Sequence, residues 1–139
     1  MDYYLDDLSP GMEASYVTTV TEAHIVMFAG VSGDTNPIHL DEEFAAGTMF
    51  GGRIAHGMLS AGFISTVIGT RLPGNRSVYM NQSLAFKRPV RVGDTVRASV
   101  KITAIDREKN HVFLDTWCTV KGRQVISGEA RIMVPSRPR

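Results

Sequence analysis

The sequence predicts an α+β fold in which an antiparallel sheet wraps around one long central helix. The helix is expected from Met58 to Leu72, where apolar residues recur at helical spacing, with small residues between them and few charges. A helix that is apolar nearly all round is normally buried. Four stretches rich in β-branched residues follow it, and one extended stretch precedes it. Together these patterns indicate a single layer of sheet packed on a buried helix.

The region before the central helix is expected to contain one strand and two short helices. The strand is the extended stretch Glu13–Val20. Thr21 can then cap a short helix with Glu22 in its first turn, where the helix dipole favours a carboxylate. The acidic run that begins at Asp41 is typical of the start of a second short helix, which we expect to reach about Ala46.

The region after the central helix is expected to form an antiparallel meander. Turn residues such as Gly93-Asp94 separate the candidate strands, and short connections of this kind join antiparallel neighbours. Apolar and polar residues partly alternate along them, as in a half-buried strand. The four candidate strands are Ser77–Lys87, Thr95–Ile105, Val112–Val120 and Gln124–Val134.

The composition narrows the class of protein. A length of 139 residues fits one domain, residues 1–139. Fifteen Lys and Arg nearly balance fourteen Asp and Glu, which argues against nucleic acid as the main partner. Cys118 is the only cysteine and no apolar stretch approaches the length of a membrane span, so we expect a cytoplasmic protein without a membrane partner. The four histidines lack metal-binding spacing, so no metal is expected.

The segment from Gly33 to His39 is the first candidate for chemistry. Asp34 and His39 flank Asn36-Pro37, which restricts the backbone and shapes a turn that brings an acid and an imidazole to nearby points. Such a pair, sharing one water, can take a proton from that water and supply a proton to a substrate carbon. The alternative is that Asp34 and Asn36 are turn residues only and that His39 is a half-buried histidine with satisfied hydrogen bonds.

The second candidate is Gly57, which lies where the central helix should begin. Backbone N–H groups at a helix N-terminus can donate to an oxyanion, and glycine has no side chain to keep a carbonyl away. The alternative is that Gly57 only permits tight packing. His56 has a weaker claim, and we expect it to be a hydrogen-bonding residue rather than a second base.

Three blocks of the sequence resemble the hydratase type of the MaoC-like family. The first runs from Phe28 to His39, with Ala45 after five further residues. The second is Ile54–Leu59, and the third is Ser77–Val90 followed by Val92-Gly93-Asp94. The likeness covers nearly the whole chain. The chain has the short form with a single hotdog domain, and in this it is similar to the bacterial (R)-specific enoyl-CoA hydratases that feed polyhydroxyalkanoate synthesis.

This resemblance implies a hotdog fold and a homodimer that needs no cofactor. It implies (R)-specific, reversible hydration of trans-2-enoyl-CoA to (R)-3-hydroxyacyl-CoA, with acyl-CoA bound near the dimer interface. Asp34 and His39 would activate water, and Gly57 would supply an oxyanion N–H. Asn36 would hold the dyad segment in place, and Ser65 falls where the family has a serine near the site.

Several alternatives stay open at this point. One is a dehydratase acting on acyl carrier protein, and another is a non-catalytic acyl-binding hotdog subunit. A hotdog thioesterase usually has a carboxylate on the buried helix, and Met58 to Leu72 contains none. Lys87, Arg88 and Arg91 could meet the phosphates of CoA or be solvated strand-end charges. Spacing does not fix the preferred acyl chain length.

Overall fold

The computed structural model describes residues 2–139 and contains six strands, four α-helices and a 3-10 turn at Leu5–Asp7. The helices are α1 (Glu22–Ser32), α2 (Pro37–Leu40), α3 (Glu42–Ala46) and α4 (Gly57–Thr70). The strands are β1 (Glu13–Thr19), β2 (Val78–Gln82), β3 (Ala85–Phe86), β4 (Thr95–Asp106), β5 (His111–Val120) and β6 (Arg123–Met133). Within the described residues, no helix is long and apolar enough to cross a membrane.

The six strands form one antiparallel sheet that packs on α4. The strand order is β1-β4-β5-β6-β2, with β3 also paired to β6. Inward-facing side chains of the central strands, such as Val96 and Leu114, are buried against Ile64 and Val67 of α4. Burial of this apolar surface is the main force that holds the sheet on the helix. The predicted α+β fold, a sheet wrapped around a long central helix in the hotdog arrangement, is confirmed.

The strand connectivity differs from the predicted meander. Only β4, β5 and β6 form a meander, because β2 pairs with β6 at one end of the sheet and β4 pairs with β1 at the other. The eight residues 87–94 that join β3 to β4 are longer than a hairpin turn. They pass the start of α4, where the Ala55 N–H donates to the Val90 carbonyl at 2.6 Å. This crossing brings residues 86–90 to the N-terminus of the central helix.

The predicted strand Ser77–Lys87 is divided into β2 and β3 at Ser83. The Ser83 hydroxyl accepts the Glu129 N–H at 3.0 Å, in place of a ladder bond. The backbone of Ser83 lies so close to Gly128 that a Cβ there would be 1.8 Å from the Ser83 carbonyl oxygen. A glycine on β6 therefore permits the close approach that breaks the strand.

The short helices begin as expected, and there is one more than predicted. The Thr21 hydroxyl accepts the His24 N–H at the start of α1, and Asp41 accepts the Phe44 N–H at the start of α3. The additional helix α2 begins at Pro37, because the Asn36 side chain accepts the Ile38 N–H at 3.1 Å. Proline fits the first position of a helix, where its missing N–H costs nothing.

Candidate active site

The turn after α1 carries Asp34 and is built from local hydrogen bonds. Gly33 ends α1 in the left-handed conformation, with φ at 78°, and its N–H donates to the Ala29 carbonyl. The Ser32 hydroxyl then accepts the Asp34 N–H at 3.1 Å. Asp34 Oδ1 accepts the Asn36 N–H at 3.3 Å. The backbone is thereby fixed around Asp34, whose side chain stays exposed.

His39 lies on α2 and is buried, with 8% of its surface exposed. Its Nδ1 lies 2.8 Å from the Ile54 carbonyl oxygen. A carbonyl oxygen only accepts hydrogen bonds, so Nδ1 carries the hydrogen in the neutral ring. Nε2 then retains its lone pair and can accept a proton.

His56 immediately precedes α4 and lies against His39. The two rings stack with centroids 3.9 Å apart and an interplanar angle of 29°, and Phe28 lies on His56 at 4.7 Å. Nε2 of His56 lies 2.9 Å from the Asp34 carbonyl oxygen and must donate to it. Nδ1 of His56 is buried without a hydrogen-bond partner among residues 2–139.

These contacts bring one carboxylate and two imidazoles together. Atoms of Asp34, His39 and His56 that could act as ligands all lie within 4.8 Å of one another. A carboxylate and an imidazole at this distance can share one water, which is the arrangement that acid–base chemistry on water requires. The spacing would also suit a metal ion, so the expectation that none is bound stays a prediction, which metal analysis of the purified protein would test.

Gly57 is the first residue of α4, and no side chain caps this helix end. The first N–H groups of a helix have no partner within it and can donate to a bound anion. The structure also gives Gly57 a packing role, because a Cβ there would lie 2.6 Å from the ring of Phe86. Both explanations of this glycine therefore have a structural basis.

A cavity of about 570 Å³ opens beside the histidines and Gly57. Its outer wall contains exposed residues, among them Met49, Lys87 and Arg88. Its inner wall contains buried residues, among them Ser60 and Ile126. The lining is mostly apolar, as is usual for a small-molecule site. The cavity can therefore hold a ligand with a polar group at the mouth and an apolar group inside.

The remaining predicted residues lie at different distances from this cavity. Asn36 caps α2 and so supports the helix that carries His39. Ser65 is exposed on α4, about 12 Å along the helix from Gly57, and does not line the cavity. The Arg91 guanidinium donates to the carbonyls of Arg53 and Phe50, which directs it into the loop rather than to the mouth.

Arg53 is a supporting residue that the sequence analysis missed. Its Nε donates to the His39 carbonyl at 2.7 Å, and its guanidinium contacts both Glu22 carboxylate oxygens at 2.7 and 3.0 Å. The hydrogen bond from Arg53 lowers the pKa of Glu22 below its usual value. Arg53 therefore links α1 to the backbone of α2. No local pattern marks it, because its partners lie 31 and 14 residues away.

Comparison with known proteins places the chain in a family. It is 56% identical to the (R)-specific enoyl-CoA hydratase of Rhodospirillum rubrum over 97% of this chain and 94% of that protein. It is 44% identical to the 3-hydroxybutyryl-CoA dehydratase of Methylorubrum extorquens over 96% of this chain and 85% of that protein. The solved (R)-hydratase of Aeromonas caviae involved in PHA biosynthesis superposes with a TM-score of 0.89, at 42% identity, over 93% of this chain and 98% of that one. Residues 9–124 match the family described as MaoC like domain, and the chain therefore belongs to that family.

Proposed function

We propose that the protein hydrates trans-2-enoyl-CoA to (R)-3-hydroxyacyl-CoA and catalyses the reverse dehydration. The observation that carries this proposal is the approach of Asp34 to His39 within 4.8 Å, with Nε2 of His39 free to accept a proton. The relatives named hydratase and dehydratase catalyse reactions of the hydro-lyase class in the two opposite directions, which supports the same class here.

In the proposed reaction, Asp34 and His39 share one water. The dyad takes one proton from this water as its oxygen forms a bond to C3 of the substrate. The electron pair of the C2–C3 double bond moves toward the thioester oxygen, and C2 then receives one proton from the dyad. The negative charge that develops on the thioester oxygen is stabilised by the N–H at the start of α4. The (R)-product requires that the hydroxyl is added to one particular face of C3, and protonation of C2 on the same face makes the addition syn.

CoA is proposed as the carrier rather than acyl carrier protein. Arg88 and Lys87 are exposed at the cavity mouth and would meet the phosphates of CoA, although Lys87 Nζ also donates to Gln124. Arg91 is directed into the loop and is not assigned to this role. Turnover of crotonyl-CoA should therefore exceed that of crotonyl-acyl carrier protein. The opposite preference would favour the carrier-protein dehydratase.

The active form is proposed to be a cytoplasmic homodimer of a single domain comprising residues 1–139. Strand β2 ends the sheet, and it exposes Val78, Tyr79 and Met80 by 40–50% each. A long apolar edge strand is normally covered, and pairing with a second copy would cover it. Strand β1 forms the opposite edge of the sheet, and there the Ser15 carbonyl already accepts a hydrogen bond from Arg71. Light scattering of the purified protein tests this, since a monomer would contradict the proposed assembly.

The enzymatic proposal is tested by following the absorbance of the enoyl thioester. Wild-type protein should remove the conjugated absorbance of crotonyl-CoA, and chiral analysis should identify the (R)-3-hydroxy product. If no enoyl-CoA of any chain length is hydrated, the proposal is wrong. A subunit that only binds acyl groups would then account better for the retained cavity.

A further inference from the structure

The hydroxyl of Ser60 differs in its hydrogen bonding from two other hydroxyls on the same helix. In α4, the hydroxyls of Thr66 and Thr70 donate to the carbonyls of Gly62 and Thr66, four residues earlier. This is the usual arrangement for a hydroxyl inside a helix. Ser60 Oγ has no hydrogen-bond partner among residues 2–139, although Ser60 is only 1% exposed. It lines the cavity instead.

The position of Ser60 defines the inner part of the cavity. Ser60 lies three residues beyond Gly57, which is a rise of about 4.5 Å along α4. Lys87 and Arg88 line the cavity as exposed residues, while Ser60 and Ile126 line it as buried residues. If the charged end of a CoA thioester stays at the mouth and its carbonyl lies at Gly57, the acyl tail is directed toward Ser60.

We propose that Ser60 limits the length of the acyl group that the cavity accepts. This inference rests on the proposed function, and it deepens it by assigning a specificity residue. A carbon–carbon bond is about 1.5 Å long, so a rise of about 4.5 Å accommodates roughly three or four bonds beyond the carbonyl. A short acyl group ends before Ser60. A longer chain brings methylene groups against the buried side chain of Ser60, whose unpartnered hydroxyl they cannot hydrogen-bond.

Two substitutions at Ser60 test this proposal in opposite directions. Ser60→Ala removes the hydroxyl and enlarges the space, so kcat/KM for trans-2-octenoyl-CoA should rise about tenfold relative to crotonyl-CoA. Ser60→Thr keeps a hydroxyl and adds a methyl group, so the same ratio should fall. Thr66→Val is the matched control, because the Thr66 hydroxyl is bonded to the helix backbone, and its ratio should equal that of wild type.

Binding measurements separate this proposal from the proposed function. Calorimetry with butyryl-CoA and octanoyl-CoA requires no turnover, and Ser60→Ala should shift the ratio of the two dissociation constants toward octanoyl-CoA. Absence of hydration in wild type would contradict the proposed function, while the shift in binding would still support the role of Ser60. Ratios unchanged in a folded Ser60→Ala variant, or equal losses for both chain lengths, would overturn the role of Ser60. If Ser60→Thr does not fold, the Ser60→Ala result decides.

Discussion

The two segments that build the candidate site, residues 34–39 and residues 54–57, hold each other with the same kind of hydrogen bond but leave different atoms free. His39 in the first segment donates to the Ile54 carbonyl in the second, and His56 in the second donates to the Asp34 carbonyl in the first. His39 uses Nδ1 and keeps Nε2, whereas His56 uses Nε2 and keeps a buried Nδ1. Two stacked rings of identical chemistry are thus suited to different tasks.

In the proposed function, the nitrogen that each histidine uses for its hydrogen bond, rather than its burial, distinguishes the roles of the two rings. Both rings are buried, and each donates a hydrogen bond to a backbone carbonyl. In the proposed function, the first segment contributes the acid–base pair, and the second contributes a support and the start of a helix. Substitutions at Asp34, His39, His56 and Gly57 separate the contributions of the two segments, and substitutions at Arg53 and Glu22 test the contacts that support the first segment.

The largest effect is expected at the dyad. Asp34→Asn and His39→Gln should each lower kcat for crotonyl-CoA by about 10³-fold, because each removes a group that moves a proton. The amide introduced by Asp34→Asn keeps an oxygen for the Asn36 N–H, so the melting temperature of this variant should change little. Hydration by both variants at the wild-type rate would show that the mechanism is wrong.

A smaller effect is expected at His56, where substitution by glutamine should lower activity less than it does at His39. His56→Leu leaves the Asp34 carbonyl without its donor, which should cost about 1–3 kcal/mol in the free energy of unfolding and lower kcat about 10- to 100-fold. His56→Gln keeps an N–H donor and should recover part of both losses in denaturant titration and in turnover. If glutamine rescues position 39 but not position 56, the roles of the two rings have been exchanged.

The two explanations of Gly57 can be separated with Phe86. Gly57→Ala should lower both stability and kcat, the latter about 10²-fold, because its Cβ meets Phe86 and holds the thioester carbonyl away from the helix. In a Phe86→Ala background the clash disappears, so the added alanine should no longer lower the melting temperature. Turnover should stay low in the double variant. Recovery of turnover together with stability would show that packing alone requires the glycine.

A positioning effect is expected at Arg53. Arg53→Lys loses the bidentate contact with Glu22 and the bond from Nε to the His39 carbonyl. We expect kcat to fall about tenfold with a smaller change in KM, since the dyad is displaced while the cavity is kept. Steady-state kinetics on crotonyl-CoA measures this split. A change in KM alone would assign Arg53 to substrate binding.

The smallest effect is expected at Glu22, and it depends on pH. The pKa of Glu22 is lowered in the folded state by Arg53, so its contribution to stability is present above the usual carboxyl pKa and is lost as the pH falls through the folded value. Glu22→Gln should therefore destabilise the protein by less than about 1 kcal/mol at pH 7, since the pair is partly exposed. The difference from wild type should vanish at acidic pH in thermal melts. A difference that grows on acidification would contradict this account.

Much of the fold follows from local patterns, and the exceptions are non-local. The apolar helix α4, the cap at Thr21 and the start of a short helix near Asp41 depend on neighbouring residues, and the sequence predicts all three. The sequence does not predict helix α2, because Asn36-Pro37 indicates a turn, whereas the Asn36 side chain caps a helix that begins at Pro37. The pairing of β2 with β6 was missed because strand order depends on which edge is free in the assembled sheet.

The candidate site shows the same division between local features, which the sequence predicts, and non-local contacts, which it does not. The spacing of Asp34 and His39 around a shaped turn is readable in the sequence, and the structure places them together. Arg53 reaches its partners only after three segments have folded against one another. No sequence pattern singles out Ser60. Its unpartnered hydroxyl is visible only once the direction of each α4 side chain is known.

Cys118 has a practical consequence for future experiments. It is the only cysteine, it is fully buried beneath α4, and burial raises the pKa of its thiol to about 12. A thiol of this kind reacts slowly with alkylating reagents. A cysteine introduced at Met49, which is 92% exposed at the cavity mouth, would thus be the single reactive position for a fluorescent probe. A Met49→Cys variant can therefore report ligand entry optically without removal of Cys118.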